Sequence, residues 1–194
     1  MATIPRESLL SLEAYARERP AFRARVLEHK RPRTVALGEH VTLLFEDELT
    51  VRYQVQEMLR IEKTFEEEGI RDELAAYDAL VPDGTNLKAT MLIEYEDVAA
   101  RRAALAKLKG IERHTWVAAA GQERIDAIAD EDLDRENAEK TSAVHFLRFE
   151  LPPATIAALK RGAPLAIGID HPEYTVAIPA VADETRTALV ADLR

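Results

Sequence analysis

The residues best suited to chemistry in this chain are polar side chains within apolar patterns, beginning with Gln54 and Glu57. Both lie in the stretch 45–65, FEDELTVRYQVQEMLRIEKTF, whose spacing predicts an amphipathic helix. On a helical wheel Gln54 falls inside the apolar face and Glu57 at its edge, whereas Glu62 lies in the last turn and can reach solvent. A buried polar group without a partner costs about 1–3 kcal/mol, so Gln54 and Glu57 predict a site or internal partners. The predicted apolar face consists of Val51, Val55, Met58, Ile61 and Phe65.

Two histidines lie on the apolar faces of predicted strands. In the strand 143–151 the alternation of side chains places His145 with the apolar residues, and in the strand 165–171 it places His171 with them. A buried imidazole needs a hydrogen-bond partner or a ligand. Together with the helix, these strands predict a candidate polar pocket formed by Gln54, Glu57, His145 and His171.

The chemistry of this pocket has three alternatives. Glu57, His145 and His171 could ligate a metal such as non-haem iron, because a carboxylate and two imidazoles leave coordination positions open. The same three groups could act as general base and acid, with Gln54 orienting a ligand. The third alternative is structural, in which the polar groups only set the register between helix and sheet. No cofactor is required by the sequence, and whether the protein is an enzyme stays open.

Other familiar chemistry is excluded by residue type or spacing. The chain has no cysteine, which excludes disulfides and thiolate ligands, and none of its three serines lies in a nucleophile elbow. Its seven glycines are isolated, so no phosphate-binding loop is present. The run 130–134 is acidic like a calcium loop, but Arg135 occupies the position that needs glycine and Thr141 that of the bidentate glutamate.

Charge is distributed unevenly along the chain. The formal net charge of −9 argues against nucleic-acid binding, yet the segment 17–33 holds seven basic and two acidic residues. This segment predicts either solvated helix flanks or a docking patch for an acidic partner or anionic ligand. Arg52, Gln56 and Arg60 recur every four residues, and a salt-bridged helix surface is favoured there over an anion clamp.

Interleaved helical and strand patterns with short hairpins predict an α+β fold with a mixed, largely antiparallel sheet and helices packed on it. The length favours a single domain, 1–194, with a possible subdivision into 1–130 and 143–194 joined by a charged helix over 130–140. No run of about 18 apolar residues is present and the N-terminus is not that of an export signal. We therefore expect a cytoplasmic protein without membrane contact.

Several sequence blocks resemble an uncharacterised bacterial family, the domain of unknown function 3501. They are Leu37-Gly38, LLFED at 43–47, YQVQEMLRIE at 53–62, the turn 81–84, KTSAVHFLRFEL at 140–151 and DHPEY at 170–174. The resemblance supplies no catalytic residues. It implies a setting instead, since members are often encoded near rubrerythrin-like proteins and iron–sulfur proteins, which points to redox metabolism or oxidative stress.

Two functional hypotheses follow. The first is a cytoplasmic accessory protein of a bacterial redox system that binds a partner protein, of the rubrerythrin-like or iron–sulfur class, or a small ligand. The second is a non-haem metal-binding protein or enzyme that uses Glu57, His145 and His171.

Overall fold

The computed structural model describes residues 3–131, 135–137 and 139–194. Within them the chain forms six α-helices and nine strands. The helices are α1 Leu12–Lys30, α2 Glu48–Glu62, α3 Glu67–Asp78, α4 Val98–Lys107, α5 Pro153–Lys160 and α6 Asp183–Val190. The strands are β1 Thr34–Leu37, β2 Val41–Glu46, β3 Asn86–Ile93, β4 Thr115–Ala119, β5 Ile125–Asp126, β6 Ile128–Ala129, β7 Val144–Glu150, β8 Leu165–His171 and β9 Tyr174–Ile178.

The strands form two sheets whose inner faces share one hydrophobic core. The five-stranded sheet has the order β1-β2-β3-β7-β6 and the four-stranded sheet β5-β4-β8-β9, and every described pair is antiparallel. Inward residues of the first sheet, such as Phe45 and Phe149, belong to the same buried cluster as Ile167 of the second. The predicted α+β class is confirmed, with two antiparallel sheets in place of one mixed sheet. This cluster draws residues from both sides of the segment 130–143.

A separate helical layer has a smaller core of its own. Val51, Val55 and Leu59 of α2 pack with Ile70 and Leu74 of α3. The N-terminal segment covers this cluster with two further buried side chains, Ile4 and Leu9. In the described part of the chain no helix is both long and apolar enough to cross a membrane.

The buried face of α2 differs from the predicted one by a rotation of the helix. Asp47 caps α2 and Lys63, with φ 57°, ends it in a left-handed conformation, so Phe65 lies beyond the helix. Ile61 is 60% exposed and Phe65 72% exposed, and the prediction that they are buried is wrong. Gln54 is exposed as well, whereas Gln56 is only 2% exposed.

The charged helix predicted over 130–140 falls partly outside the described residues. Positions 132–134 and 138 are not described, and the described positions of this segment are not helical. Asp130 itself adopts a left-handed backbone with φ 51°, which is uncommon outside glycine but is tolerated by aspartate. The start of this segment is therefore a turn.

A buried ion network joins the helical layer to the C-terminal helix. Arg33, in the 3-10 turn that follows α1, is 4% exposed and donates two hydrogen bonds to Asp192, each 2.8 Å long. Its Nη2 also lies 3.0 Å from Oδ2 of Asp47, the residue that caps α2. His29 contacts the same Asp47 oxygen at 2.5 Å. One guanidinium thus links the end of α1, the start of α2 and the residue just after α6.

We predict that Arg33→Ala lowers the free energy of unfolding by about 3–5 kcal/mol, because Asp192 loses its buried counter-charge and Asp47 keeps only its contact with His29. Urea denaturation measures this difference. The matched control is Arg31→Ala, two residues away, whose ion pair with Glu28 is exposed and is worth about 1 kcal/mol or less. Equal losses in the two variants would contradict the role given to Arg33.

Candidate functional site

Glu57 lies between α1 and α2 and is fully bound by neighbouring side chains. Arg19 donates from Nε and Nη2 to its two oxygens, at 2.8 and 2.9 Å, and the Tyr15 hydroxyl donates at 2.5 Å. Arg60, one turn further along α2, donates at 3.2 Å. These donors, Arg19 foremost, lower the pKa of Glu57 from 4.5 to about 2. A carboxylate held ionised by four hydrogen bonds is a helix–helix connection and a poor general base at neutral pH.

His145 is fully buried on β7 and has partners at both ring nitrogens. Its Nδ1 lies 2.6 Å from Oδ2 of Asp130, and its Nε2 lies 3.0 Å from Oγ1 of Thr141 and 3.1 Å from the carbonyl oxygen of Ser142. The Asp130 carboxylate only accepts, so Nδ1 carries a hydrogen, whereas Nε2 can accept from the Thr141 hydroxyl. Glu112, 3% exposed, places Oε2 3.9 Å from Nε2, and this oxygen has no hydrogen-bond partner among the described residues.

Asp130 contacts His145, and His145 contacts Thr141, as an orienting acid, a base and a hydroxyl nucleophile do in a catalytic triad. Burial decides against that chemistry, because Thr141 is 1% exposed and His145 0%. Asp130 is also committed structurally, since its Oδ1 accepts from the backbone N–H of Phe146 at 3.0 Å. The arrangement fixes the turn at Asp130 onto β7.

His171 belongs to the other sheet and serves a local role. Its Nε2 lies 3.0 Å from the carbonyl oxygen of Lys109, and its Nδ1 accepts from the backbone N–H of Glu173 at 3.2 Å. The carbonyl accepts and the N–H donates, which requires the neutral ring with its hydrogen on Nε2. His114 packs edge-on against this ring at 5.3 Å between centroids.

The four residues of the predicted pocket therefore do not form one pocket. Gln54 is exposed, and Glu57, His145 and His171 belong to three separate hydrogen-bond networks. Among the described residues no three histidine or acidic side chains are grouped so that they could hold a metal ion. The prediction failed because it placed Gln54 on the wrong helix face and assumed that β7 and β8 share one sheet.

The groove that the prediction missed lies between α1 and α2, next to the N-terminal segment. It has a volume of about 400 Å³ and is lined by Ser8, Leu10, Phe22, Arg25, Arg52 and Gln56, with Glu18 and Ala21 along α1. Gln56 forms its inner end: the amide nitrogen donates to the carbonyl oxygen of Leu10 at 3.1 Å, and the amide oxygen accepts from the Leu10 N–H at 2.9 Å. Both amide atoms are satisfied, so this end is rigid.

Two guanidinium groups approach one aromatic ring in this groove. The Arg25 guanidinium lies 4.9 Å from the Phe22 ring centre and that of Arg52 5.9 Å from it, both within cation–π range. Arg52 has one carboxylate partner, Glu48, at 3.3 Å. Arg25 forms no ion pair with any described residue. The groove therefore combines an apolar floor with the Arg25 guanidinium, which has no carboxylate partner among the described residues.

The basic segment 17–33 divides into internal and free charges. Four of its seven basic residues have carboxylate partners: Arg17 with Glu13, Arg19 with Glu57, Arg31 with Glu28, and Arg33 with Asp47 and Asp192. Within the described residues Arg23, Arg25 and Lys30 have none, and Lys30 lies 5.6 Å from the ring centre of Tyr53. The spacing of Arg52 and Gln56 was the available signal for the groove, but the sequence alone favoured an exposed surface there.

These features define a two-sheet α+β protein with a helical layer whose groove presents arginines. The chain belongs to the family described as Protein of unknown function (DUF3501), whose model matches residues 3–193. It is similar to a crystal structure of a protein of unknown function from Burkholderia pseudomallei K96243, with 56% identity, 100% of each chain covered and a TM-score of 0.95. A search of curated proteins finds no match.

We predict that Glu57→Gln lowers the free energy of unfolding by about 1–3 kcal/mol at pH 7, because a charge-assisted hydrogen-bond set is lost. The lowered pKa makes this contribution complete above about pH 4.5 and removes it as the pH falls toward about 2. Urea titrations at several pH values measure it. Glu62→Gln, an exposed change on the same helix, is the control and stays within about 0.5 kcal/mol of wild type. A pH-independent deficit in Glu57→Gln would contradict the assignment.

We predict different hydrogen patterns on the two buried histidine rings. A long-range proton–nitrogen correlation spectrum of the folded protein will show His171 with its hydrogen on Nε2 and His145 with a hydrogen on Nδ1, where it meets Asp130. The variants His145→Gln and His171→Gln assign the signals. Identical patterns for both rings would show that the hydrogen-bond geometry has been misassigned.

Proposed function

We propose that this protein is a cytoplasmic accessory protein that binds an acidic segment of a partner protein in the groove between α1 and α2. The observation that carries the proposal is the pair of guanidinium groups, Arg25 and Arg52, directed at the Phe22 ring inside a groove of about 400 Å³. Arginine is the side chain best suited to recognise carboxylates, because its planar fork donates two parallel hydrogen bonds.

The size and charge of the groove support recognition of a side chain or short peptide. Its volume is near the lower end of small-molecule pockets, too small to enclose a large cofactor. Glu18 lies at the groove and offsets part of the charge, so a ligand meets two arginines and one acid. An acidic residue next to an apolar one would contact Arg25 and Phe22 together.

The family resemblance gives the class of partner that we propose. Members are expected beside rubrerythrin-like and iron–sulfur proteins, so the acidic segment would belong to such a redox or oxidative-stress protein. A chain without cysteine that binds one of these proteins would act on its assembly or its access to substrate.

Binding is favoured over catalysis because the candidate catalytic groups are already engaged. Glu57 is held by three side chains, His171 uses both nitrogens on backbone groups, and His145 is fully buried. The alternative function, a non-haem metal protein or enzyme built on these three residues, would need them to leave these partners and converge. The groove needs no such rearrangement.

The test is photo-crosslinking from two positions on α1 in cells of the native host. A benzophenone amino acid at Ala21, which lines the groove, is expected to capture one partner reproducibly through an acidic peptide. The matched control is the same amino acid at Ala24, which is also exposed on α1 but does not line the groove.

Charge reversal completes this design. Arg25→Glu should abolish the cross-link from Ala21, whereas Arg23→Glu, two residues away on the same helix, should leave it. Cross-links from Ala24 of equal yield, or an Ala21 product unchanged by Arg25→Glu, would overturn the groove as the binding site. A partner outside the rubrerythrin-like and iron–sulfur classes would overturn the redox setting.

A further inference from the structure

A second cavity, of about 270 Å³, lies between the end of α3 and the outer face of the five-stranded sheet. On β3 the residues Leu87, Ala89 and Met91 face the core, so Lys88 lies on the outer face. The register of β3 and β7 places Arg148 directly opposite Lys88 and Phe146 opposite Thr90. Lys88, Phe146 and Arg148 all line the cavity.

Lys88 is a half-buried cation without a carboxylate partner. Its ammonium donates a hydrogen bond to the carbonyl oxygen of Ala79, at the end of α3, and no described carboxylate lies within ion-pair distance. Burial lowers the pKa of Lys88; the charge of Asp83 opposes this shift and that of Arg148 adds to it.

The nearby acids are committed elsewhere. Glu131 accepts both of its hydrogen bonds from Arg148, at 2.8 and 2.7 Å, and Glu150 accepts from the same guanidinium at 2.6 Å. Asp83 accepts from Thr85 and Asn86. Arg148 thereby takes the hydrogen bonds of both carboxylates. Asp83, Glu131 and Glu150 act on Lys88 only at longer range, and its ammonium has no direct carboxylate partner among the described residues.

The rest of the lining is mostly apolar. Tyr77 and Leu80 form the helix side of the cavity, and Phe146 lies on the sheet side, covered by the Arg135 guanidinium at 4.5 Å from the ring centre. A ligand that fits must combine one negative charge with a small apolar body. The volume is below that of typical pockets for drug-sized ligands, which limits the body to a short chain or one ring.

We propose that this cavity binds a small organic carboxylate, with the carboxylate on Lys88 and the apolar body against Tyr77, Leu80 and Phe146. The site shares no lining residue with the α1–α2 groove. It therefore stands or falls independently of the proposed partner binding.

The test is a titration with benzoate, followed by saturation-transfer NMR and by proton–nitrogen spectra of the full chain. Wild type and Lys160→Met, an exposed lysine on α5, are expected to bind benzoate saturably. Lys88→Met is expected to weaken binding at least about tenfold, the effect of losing one ion pair in a half-buried site. Raising the pH should weaken benzoate in wild type, because Lys88 loses its proton, and should not affect the residual binding by Lys88→Met.

Lys88→Met breaks no ion pair, so we expect it to fold, and its thermal melt checks this. Inorganic phosphate is the second probe and should bind at least about tenfold more weakly than benzoate, since it cannot use the apolar wall. Absence of benzoate binding, equal binding by Lys88→Met, or phosphate binding as tight as benzoate would each overturn the proposal.

Discussion

The helical layer depends on the buried ion pairs that the Arg33 guanidinium forms with Asp47 and Asp192. The guanidinium joins Asp47 at the start of α2 to Asp192 after α6, residues far apart in the chain, and is itself placed by the turn after α1. Removing water from three charged groups is costly unless they are paired or hydrogen-bonded. Arg33 donates two hydrogen bonds to Asp192 and one to the carbonyl oxygen of Ala188, and it forms an ion pair with Asp47. The geometry is thus specified closely.

A second connection acts at the opposite end of the same helix pair. Glu57 near the end of α2 binds Arg19 and Tyr15 near the start of α1, which makes the two helices antiparallel. The groove with Phe22 and Arg52 lies between the two connections. Because both ends of the pair are held by charged hydrogen bonds, the groove is formed before any partner arrives. Preorganisation of this kind reduces the entropy that a binding protein loses on association.

The sequence was informative where the signal was local. The alternation over 143–151 correctly placed His145 among the apolar residues, and His145 is fully buried. The buried face of α2 was predicted wrongly because Ile61 and Phe65 were counted among its apolar residues. Ile61 lies in the exposed last turn of α2 and Phe65 lies beyond the helix, and a helical wheel distinguishes neither position from a buried one.

The networks that define the sites could not be read from one sequence, since they pair residues distant along the chain. Arg33 and Asp192 are separated by 159 positions, and Arg19 and Glu57 by 38. A basic run shows only that positive charge is concentrated. Tertiary packing decides which of these basic residues form ion pairs within the protein and which, such as Arg25, face a groove. The same holds for Lys88, which has no carboxylate partner among the described residues because Arg148 binds the neighbouring Glu131 and Glu150.

The most direct measurement is a proton–nitrogen spectrum of the arginine side chains during titration with a short peptide rich in aspartate and glutamate. If the α1–α2 groove recognises carboxylates, the Nε–H signals of Arg25 and Arg52 will shift and saturate together, while that of Arg23 remains in place. Uniform, non-saturating shifts across Arg23, Arg25 and Arg52 would show that the peptide meets only a diffuse positive surface, and would contradict the account.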